Sequence, residues 1–261
     1  VDEINVVRKQ LSLVKGGKLA QAAKSDYVTL IISDVVGDKP SDIASGPTIS
    51  DGSTKADALA ILQKYNWPVI AEVEAHLLKP EQERVADTVG EYFIVANAQH
   101  AIDSAISVAQ HEGWETQVLG YDIQGEAKEV AKQHAAIALD QKSQGKRVML
   151  FSGGELTVTV ADVYGDGGPN QEYLMALAEA LNGEAGIYAL ACDTDGVDGS
   201  KDVAGAYINS STIARAQDAG ENLHAQLEGH NSHQFFKAID DLIITGPTNT
   251  NVNDFRVIVI E

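Results

Sequence analysis

Cysteine is nearly missing from this sequence. Cys192 is the single cysteine among 261 residues, so the chain can form neither an internal disulfide nor a zinc site built from cysteines. A lone thiol in so long a chain is typical of a reducing compartment, and we expect a cytoplasmic protein. The seven histidines show no paired spacing of metal ligands.

Long hydrophobic runs and positive charge are scarce as well. No run of about 18 apolar residues occurs, so the sequence predicts no membrane-spanning helix. Only 19 Lys and Arg residues oppose 38 Asp and Glu, which gives a formal net charge of −19. Such a charge repels polyanions, and we expect no nucleic-acid partner. A small anionic ligand stays compatible with it where backbone amides, local basic groups or a divalent cation hold the ligand.

Three common functional motifs are also absent from the sequence. It contains no G-x-S-x-G elbow of serine hydrolases and no G-x-x-x-x-G-K-[ST] phosphate loop. No G-x-G-x-x-G fingerprint follows a predicted strand, which argues against a dinucleotide site.

What is present indicates an α/β fold. From residue 92 onward, short β-branched runs alternate with amphipathic helical patterns, which predicts parallel or mixed sheets with helices on both faces. Separate strands are predicted at residues 147–151 and 156–160. A polar stretch precedes this part, and we place two domains at residues 1–85 and 86–261.

The first part of the chain begins on a helical pattern. An amphipathic helix is predicted up to Gly16, where glycine ends it, with an apolar stripe on one side. The stripe comprises Ile4, Val7, Leu11 and Val14. The chain starts at Val1, directly in this helical pattern and without a methionine. We therefore expect that a preceding segment of the protein was removed or is not included in this sequence. A continuous β-branched run at residues 27–33 then predicts a strand buried on both faces.

The first candidate loop, at residues 34–53, is rich in Gly, Pro, Asp and Ser. Loops of this length in compact domains are usually functional or disordered. Asp34 and Asp38 are two carboxylates four residues apart beside a Ser-Gly-Pro-Thr turn, and together they could position a metal and a phosphate. The alternative is a turn capped by its own side chains.

The second loop, YGDGGPNQE at residues 164–172, opens a predicted helix. Its glycines let the backbone approach a ligand, and the helix N-terminus offers free amides. The third loop, DTDGVDG at residues 193–199, places three carboxylates between glycines. It lacks the final Glu of an EF-hand and follows a strand, so we reject that reading. Crowded carboxylates repel one another, which favours a ligand or metal role.

The fourth loop, GPTNTNVND at residues 246–254, carries many neutral hydrogen-bonding groups and one carboxylate. Such a set suits hydroxyls or phosphate oxygens. The alternative is a wide hairpin with asparagines in left-handed turns.

Taken in order, these segments resemble the class II glycerate kinases, also called glycerate 2-kinases, of the MOFRL-domain family; some members carry the label hydroxypyruvate reductase. The matching stretches cover nearly the whole chain in the family's order. They are INVVRKQLSLVKGGKLA (4–20), SDVVGDKPSDIASGPT (33–48), SGGELTVTV (152–160), GGPNQE (167–172), DTDGVDG (193–199) and GPTNTNVND (246–254).

The resemblance implies ATP-dependent phosphorylation of D-glycerate at its 2-hydroxyl, with Mg²⁺, between two α/β domains. It implies that residues from about 147 to 261 form the MOFRL-type domain, and that residues 1–85 are the remnant of an N-terminal Rossmann-like domain. Family members are longer at the front, where a lysine regarded as catalytic lies. We therefore expect these 261 residues alone to be an incomplete enzyme. Many members have an arginine where this chain has Pro169, so no role of that arginine carries over.

Loops and resemblance together give the candidate site residues. For catalysis we select Asp34 and Asp195, and for Mg²⁺ Asp38 and Asp198, although the sequence leaves open which aspartate does which. Candidates for binding substrate or phosphate are Lys15, Ser45, Gly46, Thr48, Gly168, Asn170, Glu172, Thr194, Thr248, Asn251 and Asn253. The expected partners are glycerate and ATP, with a homodimer as an open option. The alternatives are a hydroxypyruvate reductase-type oxidoreductase and a non-catalytic fragment that binds small acids.

Overall fold

The computed structural model describes residues 2–68, 70–80, 90–160 and 164–261. The chain forms two compact units, Val1–Val95 and Ala96–Glu261. The domain boundary that the sequence predicts after residue 85 lies within residues 81–89, outside the described residues.

The first unit combines short helices with a two-stranded sheet. Its elements are α1 (Asp2–Leu11), α2 (Lys18–Ala22), β1 (Val28–Ile32), a 3-10 turn (Ile43–Ser45), α3 (Lys55–Lys64), α4 (Ala71–Leu77) and β2 (Glu91–Ala96). Thr54 begins α3 with a capping box, because its hydroxyl accepts from the Asp57 amide while the Asp57 carboxylate accepts from the Thr54 amide.

Most of the apolar stripe predicted for the opening helix is not buried within the first unit. α1 ends at Leu11, and Ile4 and Leu11 are 55% and 44% exposed. The buried side chains of α1 are instead Asn5 and Lys9. The physical reason is electrostatic: the Lys9 ammonium pairs with two aspartates of the following loop, so the polar side of the helix faces that loop.

The prediction of a strand buried on both faces at residues 27–33 is also wrong. Within β1, Val28 and Leu30 are 57% and 68% exposed, and Ile31 is the buried residue. Strands β1 and β2 form a sheet of two among the described residues. One face of β1 is therefore exposed, although its residues are those typical of a buried strand.

The second unit is built on a six-stranded sheet among the residues that the structure describes. Its elements are α5 (Ala98–His111), β3 (Glu115–Glu126), α6 (Ala127–Ser143), β4 (Val148–Thr157), α7 (Pro169–Leu181), β5 (Ile187–Asp193), β6 (Gly205–Ile208), α8 (Thr212–Asp218), α9 (Leu223–Glu228), α10 (Ser232–Ala238), β7 (Leu242–Ile243) and β8 (Asp254–Ile260). The strand order is β3-β4-β8-β5-β6-β7. The β3–β4 pair is parallel and the remaining neighbours are antiparallel, so the predicted α/β class is confirmed with a mixed sheet.

Helices cover both faces of this sheet because side chains alternate along its strands. In β8, Ile258 and Ile260 belong to the larger core, which α6 and α7 complete. The intervening Val257 packs on the opposite side, in a smaller cluster with Ile102 of α5 and Phe151 of β4. The central strand β8 is therefore buried between two helical layers.

The strand predicted at residues 147–151 and the start of the strand predicted at residues 156–160 belong to one strand, β4, which ends at Thr157. The glycine pair between them continues the ladder, with Gly153 opposite Phe255 and Gly154 opposite Asp254. Gly154 has φ +103, and a Cβ there would strike the backbone of Ile123 in β3. Glycine thus permits a close approach inside the strand where the sequence suggested a break. None of the described helices has the length and hydropathy needed to cross a membrane.

Candidate functional site at the strand ends of the second unit

Three neighbouring strands of the second unit end side by side. Asp254 at the start of β8 pairs with Gly154 of β4 on one side and with Asp193 at the end of β5 on the other. The loops at residues 165–172, 193–199 and 246–254 are joined to this edge by hydrogen bonds. Three of the four candidate loops therefore lie together, while the loop at residues 34–53 belongs to the first unit.

Asp198 anchors the N-terminus of α7. Its side chain is 1% exposed, and its carboxylate accepts from the backbone amides of Asn170 at 3.0 Å and Gln171 at 2.9 Å. The Gln171 side-chain amide donates to the same carboxylate at 2.9 Å. Burial raises the pKa of the Asp198 carboxyl to about 6, although these N–H donors oppose the rise. Both oxygens are thus engaged in holding the helix start, where negative charge is favourable.

Asn170 connects the same helix start to β8. Its side-chain amide donates to Asp254 at 2.6 Å and lies 3.3 Å from Asp198. Asn170 is 1% exposed, so this amide bridges two buried carboxylates. Nη1 of Arg256 lies 2.7 Å from Oδ2 of Asp254, so the guanidinium compensates the charge of this carboxylate.

The glycine and proline that precede Asn170 fit the start of α7. A Cβ at Gly168 would strike the backbone and the side chain of Asp198, so only glycine allows this close approach. Pro169 is the first helical residue, where a missing N–H costs nothing because that amide has no partner within the helix.

Asp193 and Asp195 line the turn that follows β5. Asp193 accepts from the Asp195 amide at 3.0 Å, and Asp195 accepts from the Val197 amide at 2.7 Å. Burial first, and then the nearby charges of Asp195 and Asp254, raise the pKa of Asp193 to about 7. The crowding of carboxylates expected from the sequence is therefore present at this edge.

The threonines and asparagines of the candidate list join the third and fourth loops. The Thr194 hydroxyl donates to the Asn253 carbonyl at 2.8 Å, and the Thr248 hydroxyl donates to the Thr194 carbonyl at 2.6 Å. The Asn251 side chain accepts from the Asn253 amide at 2.8 Å, and Asn253 has a φ of 66°. These contacts are those of turns and loop pairing, and they fix the two loops against each other.

Glu172 is buried in the first turns of α7 and has a histidine and a lysine as neighbours. His230 Nδ1 lies 2.9 Å from its carboxylate and Lys128 Nζ lies 3.5 Å from it. Lys128 also donates to the Leu227 carbonyl at 2.9 Å. Glu172 therefore links α7 to α6 and to the chain after α9.

In the first unit, the Lys-Gly-Gly segment and the Ala-Ser-Gly segment of the predicted phosphate loop run alongside each other. Lys15 Nζ donates to the Ala44 carbonyl at 2.7 Å, and the next two amides donate in turn to the carbonyls of Ser45, at 3.0 Å, and Gly46, at 2.8 Å. Ala44 and Ser45 both have positive φ, 52° and 61°, which is costly for residues with a side chain. Such a backbone persists where surrounding contacts hold it.

The other candidates of the first unit lie around this loop. Ser45 donates from its hydroxyl to Asn5 at 2.9 Å, and the Thr48 hydroxyl accepts from Thr29 at 2.9 Å. Asp34 is exposed, and Asp38 has φ 51° with its amide donating to the Val35 carbonyl at 3.0 Å.

Two buried cations are absent from the sequence-based list. Arg256 lies on β8 at the parity of Ile258 and Ile260, so a charged residue amid core positions was the available signal. Asn5 and Lys9 are four residues apart and lie outside the apolar stripe, so they share one face of the helix. That shared face could have indicated them. Among the described residues, no group of three or more His, Cys, Asp or Glu side chains is arranged to hold a metal.

We predict that Asp193→Asn makes stability less dependent on pH. The raised pKa of Asp193, about 7, means that the folded chain binds this proton more tightly than the unfolded chain does. The stabilising contribution is complete below pH about 4, the ordinary value for aspartate, and is lost as pH rises to about 7. Denaturant unfolding in metal-free buffer should show the variant more stable than wild type at pH 8 and similar at pH 4. Asp218→Asn, at an exposed position of α8, is the control, and a stability gap for Asp193→Asn that stays constant across this range would contradict the prediction.

The fold and the converging loops define an α/β protein with a polar site at the ends of its central strands. Comparisons with known proteins then give the family. Residues 148–254 match the MOFRL family, and residues 1–78 match a domain of unknown function (DUF4147).

A putative hydroxypyruvate reductase of Agrobacterium vitis is 44% identical over 100% of this chain and 69% of its own length. The D-glycerate 2-kinase of Thermotoga maritima is 36% identical over 98% of the chain and 62% of its own length. A crystal structure of glycerate kinase from Thermotoga maritima superposes with a TM-score of 0.88 at 36% identity, covering 100% of this chain and 63% of that one. The chain belongs to the MOFRL family, whose members carry the names glycerate 2-kinase and putative hydroxypyruvate reductase. It spans 61%, 69% and 62% of the lengths of three of the curated relatives that it matches.

Proposed function

We propose that the protein at its full encoded length phosphorylates D-glycerate at the 2-hydroxyl with ATP, giving 2-phosphoglycerate. The observation that carries this proposal is the convergence of the loops at residues 165–172, 193–199 and 246–254 at one strand edge. The similarity of the whole chain to proteins named glycerate kinase supports it. Phosphoryl transfer needs positioning and charge neutralisation more than covalent work by the protein, and loops joined to one another by hydrogen bonds would serve the positioning.

Within the strand-end site, Asp195 is our candidate for work at the reacting hydroxyl. It stands in the turn after β5, half-buried, with one carboxylate oxygen fixed by the Val197 amide. A carboxylate held in this way can accept the proton of the attacking hydroxyl or bind a metal ion that accompanies the phosphate. In the first unit, Asp34 as a second catalytic group and Lys15, Ser45, Gly46 and Thr48 as phosphate ligands stay proposals.

The donor set at the strand edge fits Mg²⁺ bound jointly with ATP. Mg²⁺ is usually held by one or two carboxylates together with substrate phosphates, and a cage made wholly of protein ligands is not needed. Asp193 and Asp195 supply two crowded carboxylates whose mutual repulsion a cation would relieve. Bound there, Mg²⁺ would neutralise phosphate charge. We prefer these two residues to Asp198, because the oxygens of Asp198 are engaged by the start of α7, and Asp38 stays a prediction.

A reductase acting on hydroxypyruvate is the second candidate, because relatives at 45% and 44% identity carry that name. The sequence offers no G-x-G-x-x-G fingerprint after a strand, so we favour the kinase.

The two activities are separated by two assays on the protein at its full encoded length. We expect ADP release that requires D-glycerate, ATP and Mg²⁺ together, and no oxidation of NADH or NADPH by hydroxypyruvate. Omitting glycerate controls for ATP hydrolysis. Oxidation of NADH or NADPH by hydroxypyruvate, without glycerate-dependent ADP release, would contradict the kinase proposal and identify the protein as a reductase. A cytoplasmic location and a homodimer stay predictions.

A further inference from the structure

Arg256 occupies a buried position beneath the strand-end site. Its side chain is 1% exposed, and its guanidinium lies 5.7 Å from the ring centre of Tyr173 in α7. Nη1 donates to Asp254 at 2.7 Å, and Nη2 donates to the Gly153 carbonyl at 2.6 Å. Nε lies 3.3 Å from the Ser152 hydroxyl. A single guanidinium therefore joins the start of β8 to the glycine pair within β4.

Asp254 carries this connection to the loops. One of its oxygens pairs with Arg256, and the other accepts from the Asn170 side-chain amide at 2.6 Å. The same amide lies 3.3 Å from Asp198, the residue that anchors the start of α7. Contacts thus run from Arg256 through Asp254 and Asn170 to the loop at residues 193–199.

These contacts use properties that only arginine combines. The planar guanidinium donates in several fixed directions at once, whereas a lysine ammonium is a compact point charge. A neutral side chain would leave the carboxylate of Asp254, which is 6% exposed, without its cationic partner. Core packing alone needs none of this, because a hydrophobic pair can replace a buried ion pair without loss of stability.

We propose that Arg256 is a positioning residue for the strand-end site, because its guanidinium fixes Asp254 and Asn170 and, through them, the loop at residues 193–199. It acts through these neighbours and not on the substrate. Its expected effect on turnover rests on the proposed function, whereas its expected effect on the loop does not.

The test separates positioning from simple stabilisation by a paired substitution. Arg256→Met leaves Asp254 unpaired and should lower the unfolding midpoint. The double variant Asp254→Asn/Arg256→Met removes both charges and should recover most of that loss, while Asn keeps an oxygen for Asn170. Three quantities are measured: the unfolding midpoint, the ¹H–¹⁵N amide signals of residues 193–199, and kcat and KM for glycerate at full encoded length.

The matched control is a second arginine–aspartate pair in the same unit. Arg215 in α8 donates to the buried Asp241 at 2.8 and 2.5 Å, and its other side-chain partners, Ser211, Thr212 and Ile239, lie outside the loops of the site. Arg215→Met and Asp241→Asn/Arg215→Met should change stability in the same pattern, without displacing the amide signals of residues 193–199 or changing kcat.

For the double variant at Arg256 we expect recovered stability, displaced amide signals for residues 193–199, and a kcat lower by roughly 10- to 100-fold with KM little changed, as a misplaced catalytic geometry produces. Restored amide signals, or a kcat equal to wild type, would overturn the proposal and leave Arg256 as a stabilising partner of Asp254. If wild type releases no ADP with glycerate, the proposed function fails, and the amide signals alone decide the role of Arg256. If Arg256→Met does not fold, the double variant carries the test.

Discussion

Asp195→Asn should lower turnover by roughly 100-fold or more in the protein at its full encoded length, the scale for losing a positioned acid–base group. The substitution keeps size and hydrogen-bonding shape but removes the charge. The Asp195 carboxylate accepts from the Val197 amide at 2.7 Å, and an Asn side-chain oxygen can accept the same bond. The turn should therefore persist, and the loss should appear in kcat at saturating glycerate and Mg²⁺, with little change in the unfolding midpoint.

The matched control for this prediction is Asp202→Asn, at an exposed position beyond the same loop. It removes one negative charge from the second unit and should leave kcat unchanged. Asn adopts the turn conformations of Asp readily, so a residue that only shapes the turn would tolerate the change. Near-normal turnover of Asp195→Asn would therefore refute a working role for this carboxylate.

Lys9→Met should lower the free energy of unfolding of the first unit by about 3 kcal/mol, because removing one partner leaves buried charges uncompensated. The Lys9 ammonium, 1% exposed, pairs with Asp42 at 3.1 Å and also with Asp51. Lys39 contacts Asp42 at 2.9 Å but is largely exposed, so it compensates only in part. Denaturant unfolding followed by the exchange of amides in residues 41–51 measures the loss where it arises.

Two further variants separate charge from packing at Lys9. The triple variant Lys9→Met/Asp42→Asn/Asp51→Asn should regain most of the lost stability, because no unpaired charge remains. Lys64→Met breaks the exposed pair of Lys64 with Glu3 and should change little, as surface pairs do. If the triple variant is as unstable as Lys9→Met, lost packing and not unpaired charge explains the effect.

The α/β class could be predicted because the second unit alternates strand and helix patterns at their natural periods. Helix α5 shows how local signals mark an element, because the Asn97 side chain caps its start and Gly113 follows its end. The parallel or antiparallel sense of each pair was not readable, because β8 comes from the end of the chain and enters between β4 and β5. Pairing of this kind depends on distant segments and leaves no local mark.

The gathering of the candidate loops was predictable from their positions after strands, whereas the contacts among them were not. Asp198 shows the difference. The sequence indicated a charged residue between glycines, and the structure directs its carboxylate into the start of α7. Lys9 was missed because the carboxylates that stabilise it, Asp42 and Asp51, lie far away in sequence. Arg256 was missed because its partner Asp254 is close in sequence but gives no sign that the two are buried together in a strand. The hydrophobic periodicity of a sequence predicts which positions are buried, but it does not identify a buried charged residue or its partner.

Phosphorus NMR of the reaction products tests directly whether the protein phosphorylates D-glycerate at its 2-hydroxyl, as we propose. The protein at its full encoded length is incubated with ATP, Mg²⁺ and D-glycerate. We expect a new phosphate ester that matches authentic 2-phosphoglycerate, grows as ADP appears and is absent when glycerate is omitted. A signal of 3-phosphoglycerate alone, or ADP and inorganic phosphate without any phosphoglycerate, would contradict it.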